Sequence, residues 1–411
     1  MDESSGHTVT TVLFVGAGRH QRRAIEAVRA LGSRVVAVDR NPSAPGLASA
    51  DIAEVVDFSN LEAVCDVGRR YGVDGVLTVA ADRAVPIVAA VAETLGLPGI
   101  GTETALRMTN KLVMRRALDE ADVPQPSFAA LRSTEDVEAA LENVVLPAVL
   151  KPVDSGGQRA IFRIDDPGEV DRALREAIEE SPTGEAVLES FVDGTEVNGI
   201  VVSRGGEPAL VTLSDRLRPP GVGFGVGWIH VYPPSIDGDQ LGRARQISLD
   251  AVRALGLRNG IAFPQLIAAR DGRVVVVEVA ARIPGGQMAD LVRHATGVNL
   301  VEVALGLALG AEVPDERALP RFSQPLAIRF FTASPGPLPT GRVTAIGALE
   351  PVLRADGVVQ AETYLEVGET IRPVRRDGDR RGYVIAVADD SVEALRRAEA
   401  AAGLLEVEVE A

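Results

Sequence analysis

Two side chains that could bind a metal ion, Gln265 and Glu278, lie on two strand-like segments separated by a predicted tight turn. The turn, at residues 270–273, reads Arg-Asp-Gly-Arg, and Asp-Gly is a preferred pair for a two-residue type I′ turn. With that turn, pairing along both strands puts Gln265 directly opposite Glu278, where Cβ atoms stand about 4.5–5.5 Å apart. Mg²⁺ prefers octahedral oxygen ligands and completes its shell with phosphates and water. The spacing therefore predicts that the two side chains share a magnesium ion or an ion pair.

The second strand carries a carboxylate and an arginine on one face. Side chains two residues apart share a strand face, so Glu278, Ala280 and Arg282 point the same way. A carboxylate in the apolar run VVVVEVAA is costly to bury without a partner. An ion pair between Glu278 and Arg282 at a sheet edge is the alternative to a metal site. The turn that follows contains Gly285 and Gly286, which let backbone N–H groups approach a substrate closely.

Only two of the 42 Lys and Arg residues are lysines, Lys111 and Lys151. Lysines that survive in an arginine-rich chain could mark places that need a compact ammonium group, as beside a phosphate. Codon bias with two accidental survivors explains the count equally well. Lys151 ends a predicted strand, and Ser155, Gly156 and Gly157 follow it in a loop whose free N–H groups could fold over phosphates. Taken alone, that loop is also typical of an ordinary glycine turn between strands.

A predicted strand end and turn at residues 189–196 supply two acids. Glu189 lies on the strand, Phe191 and Val192 begin the turn, and Glu196 follows it. Backbone groups around Val192 could hydrogen-bond an adenine while Glu196 accepts ribose hydroxyls. Solvated acids at a turn are the alternative, and without the other motifs that alternative is favoured.

The segment 214–230 is glycine-rich and contains the only tryptophan of the chain, Trp228. This segment could form a lid over a substrate, with Arg216 binding a carboxylate and His230 acting as a polar contact or a base. An ordinary long connection in which His230 has a structural role is the alternative.

These residues need a scaffold, and the first hundred or so residues predict a parallel α/β unit, because apolar strands alternate with amphipathic helices. Ligand-facing loops are expected at the C-terminal ends of its strands. The loop Gly16-Ala17-Gly18 is half of a dinucleotide fingerprint, and Asp39 closes the second strand where a ribose-binding acid would lie. Gln21 stands where the third glycine is expected. The loop either binds NAD(P) or, the interpretation we favour, serves packing or substrate contact in a Rossmann-like domain.

Three further regions follow the α/β unit. A helix is predicted over residues 103–121; it carries Lys111 and ends before Pro124 and Pro126, which forbid its continuation. A small α+β unit comes next. Strand-rich segments then extend over residues 186–310, and a further α+β region completes the chain.

Composition excludes several classes of protein. The formal net charge of −16 and the pI near 4.9 argue against nucleic acid or an anionic membrane as the main partner. The single cysteine, Cys65, rules out an internal disulfide framework and a cysteine-rich zinc site, and it suits a reducing compartment. The acidic N-terminal segment lacks a signal-peptide pattern, and no apolar run reaches about 18 residues, so we expect a cytoplasmic location.

Taken together, these motifs resemble the ATP-grasp superfamily over nearly the whole chain. The resemblance implies an α/β and α+β multidomain fold with four parts: a Rossmann-like domain at residues 1–105, a lysine and glycine-loop subdomain at 106–183, a nucleotide-hinge and metal subdomain at 184–310, and a C-terminal α+β domain at 311–411. It also implies roles for the site residues. Lys111, Lys151 and Ser155–Gly157 would bind phosphate, Glu189, Phe191 and Val192 adenine, and Glu196 ribose. Gln265 and Glu278 would bind the metal, and Arg282 with Gly285 and Gly286 the acyl phosphate.

Two positions depart from the common family pattern. The usual second metal strand reads Glu-x-Asn-x-Arg, and here Ala280 replaces the asparagine. This variant, followed by a glycine turn, is similar to the L-amino-acid ligase branch. Gln265 stands where many members have glutamate, as in the carbamoyl-phosphate synthetase branch. The loss of an anionic ligand implies weaker metal binding or a change in the number of metal ions.

The resemblance implies an ADP-forming carboxylate–amine ligase that uses ATP and Mg²⁺, or Mn²⁺ in its place, with small carboxylate and amine substrates. No nucleic acid or membrane partner is expected, and a homodimer is compatible with the pattern. Two other classes stay open. One is a bicarbonate-activating enzyme related to carbamoyl-phosphate synthetase or biotin carboxylase; the other is a dinucleotide-dependent oxidoreductase or a non-catalytic nucleotide sensor.

Overall fold

The computed structural model describes residues 9–156, 159–222 and 225–410 of the 411-residue chain. The strands are β1 (Thr11–Val15), β2 (Arg34–Asp39), β3 (Ile52–Val55), β4 (Gly75–Leu77), β5 (Phe128–Leu131), β6 (Ala148–Pro152), β7 (Phe162–Ile164), β8 (Ala186–Ser190), β9 (Gly194–Arg204), β10 (Glu207–Leu217), β11 (Ile229–Tyr232), β12 (Gly260–Ala269), β13 (Val274–Ala280), β14 (Leu326–Phe330), β15 (Gly341–Ile346), β16 (Val358–Thr363), β17 (Thr370–Ile371), β18 (Gly382–Val387) and β19 (Val407–Glu410).

The helices are α1 (Arg19–Ala30), α2 (Leu61–Tyr71), α3 (Val85–Leu95), α4 (Thr102–Arg107), α5 (Lys111–Glu120), α6 (Val137–Asn143), α7 (Val170–Glu180), α8 (Gly238–Ala254), α9 (Met288–Thr296), α10 (Leu300–Ala308), α11 (Asp315–Ala318), α12 (Glu350–Leu353) and α13 (Ser391–Ala402). Across the described residues, no helix combines the length and the apolar character that crossing a membrane requires.

The N-terminal region is the predicted parallel α/β unit. Its four strands pair in parallel in the order β3-β2-β1-β4. Strand β1 is buried along its whole length, as its unbroken apolar sequence predicts. Helix α1 turns Ala24, Ile25 and Val28 toward the core, while α2 buries Cys65. The loop at the C-terminal end of β4 and the first turn of α1 both reach the arginine cavity described below, through Ala80 and His20 respectively.

The single helix predicted over residues 103–121 is wrong, because α4 and α5 are separate. The side chain of Asn110 accepts hydrogen bonds from the N–H groups of Leu112 and Val113, and so caps a new helix. Lys111 is therefore the first residue of α5. Its own N–H donates to Val153 O at 2.7 Å, which fixes the start of the helix beside the end of β6.

The lysine and glycine-loop region is built on a small antiparallel sheet with the order β5-β8-β6-β7. Helices α6 and α7 cover one face of that sheet, around a core that includes Leu150, Leu174 and Leu188. Lys151 occupies the central strand β6 near its end, directly opposite Val187 of β8. The predicted boundary between the second and third parts lies at residue 183, and β8 begins after it, at residue 186. That boundary therefore assigns β8 to the third part, although β8 belongs to the sheet of the second part.

An eight-stranded sheet in the order β13-β12-β9-β10-β11-β14-β18-β16 forms the centre of the molecule. Helices α8 and α13 pack against one face, in two apolar clusters. The other face packs partly against α9 and α10 and carries the polar side chains of the site. Strands β14, β16 and β18 lie after residue 310, in the predicted C-terminal domain, yet they belong to the same eight-stranded sheet. A separate three-stranded sheet, β17-β15-β19, lies near the C-terminus.

The turn between β12 and β13 is longer than the predicted type I′ turn. Ala269 N–H donates to Arg273 O at 2.8 Å, so three residues form the loop. A type I′ turn needs positive φ at both central residues, and of this pair only Gly272 has it, at 88°. Asp271 instead accepts a hydrogen bond from Arg273 N–H through its side chain, an Asx contact that stabilises the longer loop.

The predicted pairing of Gln265 with Glu278 is nevertheless confirmed. The longer loop moves the register by one residue, so that Leu266 pairs with Val276. A bulge at Val277 then adds one residue to β13 and restores the pairing, and Gln265 lies opposite Glu278.

Candidate active site

Two adjoining cavities lie on the polar face of the central sheet. The first, which we call the hinge cavity, is lined by Lys151 and by the segment 189–192 that follows β8. The second, the arginine cavity, is lined by Arg282 and Arg380. The residues that line both cavities mark their junction, and the polar ones are Lys111, Asn198, Arg216, Gln265 and Glu278.

A row of three oxygen-bearing side chains crosses the sheet at this junction. Asn198 of β9 lies directly opposite Gln265 of β12, which lies directly opposite Glu278 of β13. Directly paired residues point to the same sheet face, so the three side chains form one donor set. Sequence reasoning missed Asn198, although an asparagine in the apolar strand EVNGIVVS was a signal of a buried polar site.

The chemistry of this donor set fits Mg²⁺. One carboxylate and two amide oxygens are hard ligands, and Mg²⁺ is commonly held by one or two carboxylates plus substrate phosphates and water. Within the described part of the chain, no cluster of three or more His, Cys, Asp or Glu side chains could hold a metal ion alone. The row therefore suits a cation that arrives with a phosphorylated ligand rather than a permanently caged metal.

Lys151 is held in a buried ionic network. Its Nζ lies 2.8 Å from Glu189 Oε2, and Arg115 Nε lies 2.8 Å from Glu189 Oε1. Burial opposes ionisation of Glu189, but the two cations outweigh it and lower the pKa of that carboxyl to about 2. Burial also lowers the pKa of Lys151, and Glu189 offsets this effect in part. Glu189, predicted to lie beside an adenine, is thus the buried counter-ion of Lys151.

Arg115 ties this network to the bulge in β13. It is 1% exposed, and its guanidinium donates to the carbonyl oxygens of Val276 and Val277 at 3.0 and 2.7 Å. Sequence reasoning missed Arg115 because one arginine among forty-two basic residues carries no local signal. The contacts fix the register that places Glu278 at the junction.

The glycine loop lies against Lys111. Lys111 Nζ donates to Ser155 O at 3.0 Å, and Ser155 Oγ donates to Glu180 at 3.2 Å. Gly156 packs against Asp82 of the N-terminal region, since a Cβ atom at Gly156 would lie 3.3 Å from Asp82 Cβ. Gly157 lies outside the described residues. The predicted phosphate loop and the first lysine are therefore neighbours.

The hinge segment and the predicted ribose acid line the hinge cavity. The guanidinium of Arg163 stacks over the Phe191 ring, 4.4 Å from its centroid, and Val192 follows at the cavity wall. Glu196 accepts from Arg216 at 2.5 Å and lies 2.9 Å from Arg218 Nε. Arg216, predicted to bind a substrate carboxylate, is thus paired with the acid predicted to bind ribose.

Arg282 pairs with Asp82 and not with Glu278. Arg282 Nε and Nη2 donate to the two carboxylate oxygens of Asp82 at 2.6 and 2.8 Å, while its Nη1 is buried with no hydrogen-bond partner among the described residues. Burial opposes ionisation of Asp82, but the charges of Arg282 and Lys111 outweigh it and lower the pKa of that carboxyl. The alternative of an ion pair between Glu278 and Arg282 is therefore wrong. Glu278 instead belongs to the row that it forms with Gln265 and Asn198.

Gly286 brings the backbone close to two buried basic groups. Its φ is 66°, and a Cβ there would lie 3.3 Å from both Arg380 Nη1 and His230 Nε2. Burial, reinforced by Arg380 and Arg216, holds the pKa of His230 well below its usual value, so the imidazole is neutral at physiological pH. Gly285 lies beside Ala80. Arg380 was not predicted, because 94 residues separate it from the glycine turn and only tertiary packing joins them.

The loop Gly16-Ala17-Gly18, which follows β1, is held by contacts within the N-terminal region. The carboxylate of Asp39 accepts the N–H groups of Ala17 and Asn41, both at 2.9 Å, so the predicted ribose acid caps its own loop. Gln21, in place of the third glycine, is buried and donates to Val79 O at 2.6 Å. These contacts favour the interpretation of packing or substrate contact over NAD(P) binding.

Three family models match the chain in succession. The model described as ATP-grasp N-terminal domain matches residues 25–99. The model described as carbamoyl-phosphate synthase L chain, ATP binding domain matches residues 110–316, about half of the chain. The model described as L-amino acid ligase C-terminal domain 2 matches residues 334–410.

Individual proteins resemble the chain over almost its full length. An uncharacterised protein, y4rH, of Sinorhizobium fredii is 28% identical over 92% of this chain and 78% of its own length. A formate-dependent phosphoribosylglycinamide formyltransferase of Ignicoccus hospitalis is 26% identical over 96% of this chain and 95% of its own. The crystal structure of an L-amino acid ligase from Bacillus licheniformis superposes with a TM-score of 0.82 at 23% identity, covering 98% of this chain and 99% of that one, a likeness of fold.

Proposed function

Because the chain belongs to the ATP-grasp family, through the carbamoyl-phosphate synthase type of ATP-binding domain at residues 110–316, we propose that it is an ADP-forming ligase for a carboxylate and an amine. ATP phosphorylates the carboxylate, which gives an acyl phosphate and ADP. The amine nitrogen then attacks the acyl carbon, and the phosphate leaves with the bridging oxygen and the bond electrons. The nitrogen loses a proton, and an amide and inorganic phosphate are the products.

One observation carries this proposal. The row formed by Asn198, Gln265 and Glu278 lies where the hinge cavity, with the lysine Lys151, meets the arginine cavity, with Arg282. A nucleotide seated in the hinge cavity would thus present its terminal phosphate at the junction, where a carboxylate bound beside Arg282 could attack it. Positioning and charge neutralisation supply most of the rate of phosphoryl transfer.

The nucleotide is proposed to lie in the hinge cavity. Phe191 and Val192 line the adenine side, and Glu196 accepts ribose hydroxyls. Lys111 and Lys151 neutralise phosphate oxygens, together with N–H groups of the glycine loop from Ser155 to Gly157. Mg²⁺ is the cation that ATP-grasp enzymes use, and Gln265 and Glu278, joined by Asn198, would hold it. Bound there, Mg²⁺ supplies positive charge that neutralises the phosphates.

The substrates are proposed to lie in the arginine cavity. Arg282 and the N–H groups of Gly285 and Gly286 would stabilise the oxyanion that develops when the amine attacks. His230 is neutral and buried, so it can accept a hydrogen bond from the incoming amine. Arg216 lines both cavities and is paired with Glu196. The Arg216 side chain would contact a substrate only after its ion pair with Glu196 breaks.

The proposal is tested by an ADP-release screen over pairs of carboxylates and amines with MgATP. Amino acids are the first candidates, because the C-terminal family model and the solved ligase share that substrate class by name. Formate belongs in the screen because the Ignicoccus relative is named for it. We expect ADP release that requires both substrates, and loss of it in Glu278→Ala. ADP release that no carboxylate stimulates would contradict the proposal.

Bicarbonate activation is the second candidate. The family model that covers residues 110–316 is named for carbamoyl-phosphate synthase, and Gln265 is compatible with that branch. In this case bicarbonate alone would stimulate ADP release, and added amino acids would change little. The same screen distinguishes the two candidates when bicarbonate-free buffer is one of its arms.

A further inference from the structure

An ion pair joins the N-terminal region to Arg282, which follows the end of β13. Asp82 opens a short 3₁₀ helix, Asp82–Ala84, and contributes both carboxylate oxygens to Arg282 at 2.6 and 2.8 Å. The two residues are 200 positions apart in sequence. A two-point contact between a guanidinium and a carboxylate fixes the plane of the guanidinium as well as its position.

The backbone around Asp82 is fastened to the same segment as Arg282. Val79 forms an isolated parallel bridge with Ile283, and Ala80 N–H donates to Ile283 O at 3.0 Å. Ala80 has φ 57°, a left-handed conformation that a residue with a Cβ adopts at a cost of about 1 kcal/mol or more. Surrounding contacts must maintain such a conformation. This backbone strain lies directly between the bridge and Asp82.

Asp82 also touches the glycine loop. A Cβ atom at Gly156 would lie 3.3 Å from Asp82 Cβ and 3.4 Å from Asp82 Oδ2, and the charge of Lys111 acts on the same carboxylate. One side chain therefore contacts the loop predicted to bind phosphate and the arginine predicted to bind the acyl group. Arg282 keeps Nη1 without a hydrogen-bond partner among the described residues, although that nitrogen is buried. The cost of such a nitrogen favours a ligand that reaches it.

We propose that Asp82 is a positioning residue, which orients Arg282 for the acyl phosphate through its two-point contact with the guanidinium. In this proposal Asp82 acts through Arg282 rather than on the substrates themselves. The proposal rests on the ligase function proposed above, since Arg282 is assigned its role there.

A double-mutant cycle tests this proposal. Asp82→Asn is expected to lower kcat for ADP release about 10–100-fold, the usual cost of losing a residue that orients a reacting group, with the KM for ATP unchanged. In an Arg282→Ala background the same substitution is expected to cost nothing further. Asp82→Glu should restore part of kcat, because it keeps the carboxylate.

Asp51→Asn is the matched control, because Asp51 pairs with Arg29 in the same N-terminal region and lies in neither cavity. Equal losses of kcat for Asp82→Asn in both backgrounds would overturn the proposal, as would a loss no greater than that of Asp51→Asn. Those results would indicate a purely structural role.

A crystal structure of Asp82→Ala separates this proposal from the ligase proposal. We expect the Arg282 guanidinium to leave the orientation it has beside Asp82, and an unmoved guanidinium would contradict the positioning role whatever the activity. Wild-type protein that releases ADP with no carboxylate would instead contradict the ligase function alone.

Discussion

At the scale of single residues, the site depends on charges that are buried together. Glu189 has Lys151 on one oxygen and Arg115 on the other, and removing one partner of a buried ionic network leaves an uncompensated charge. The same network keeps Lys151 at the wall of the hinge cavity. A nucleotide phosphate would compete with Glu189 for that ammonium group.

Glu189→Gln should destabilise the protein by about 3 kcal/mol at pH 7, which is within the range for removing one partner of a buried ion pair. The folded pKa of Glu189 is lowered to about 2 from 4.5, so its contribution to stability is present above pH 4.5 and is lost as the pH falls toward 2. Urea unfolding of both proteins at several pH values should therefore show a difference that shrinks on acidification.

Glu185→Gln provides the control, because its partner Arg132 is largely exposed and such pairs contribute little. We expect its free energy of unfolding to stay within about 0.5 kcal/mol of wild type. A Glu189→Gln difference that stays constant between pH 7 and pH 2 would contradict the proposed ionic network.

At the scale of elements, short irregularities place the site residues. The sequence correctly paired Gln265 with Glu278 by assuming a two-residue turn, whereas the real loop has three residues and the bulge at Val277 compensates. Arg115 lies far from both in sequence and holds the bulge open. Local turn rules contain no information about such a tertiary contact.

The sequence analysis also missed the interruption of the helix before Lys111. Asn110 is a strong N-cap residue, so the start of a new helix could have been predicted there.

Asn110→Ala should cost about 1 kcal/mol in the free energy of unfolding, the usual loss for an N-cap. Because the cap also fixes Lys111 beside β6, we expect the KM for ATP to rise as well. Asn60→Ala is the matched control, since Asn60 caps α2 away from both cavities through Ala63 N–H. Thermal unfolding should shift similarly in the two variants, while an equal KM for ATP in both would show that the cap of α5 does not position the lysine.

At the scale of the whole molecule, one sheet joins parts that the sequence suggested were separate. The four-part organisation was implied by the family resemblance, and the parallel N-terminal sheet followed from alternating strand and helix patterns. The continuation of the central sheet into β14, β18 and β16 did not, because β11 and β14 pair across about 95 residues. Arg380, from the C-terminal region, consequently lines the same cavity as Arg282, and the N-terminal region contributes Asp82. The arginine cavity is thus complete only when all regions are assembled.

The most direct test of the central claim follows an oxygen atom. A carboxylate substrate identified in the screen is labelled with ¹⁸O in both oxygens and incubated with MgATP and the amine, and the inorganic phosphate is analysed by mass spectrometry. If an acyl phosphate forms, the carboxylate oxygen that attacked the terminal phosphorus leaves with it, so each phosphate should contain one ¹⁸O atom and one ADP should appear per amide. Unlabelled phosphate would show that water attacks ATP, and would contradict the ligase function.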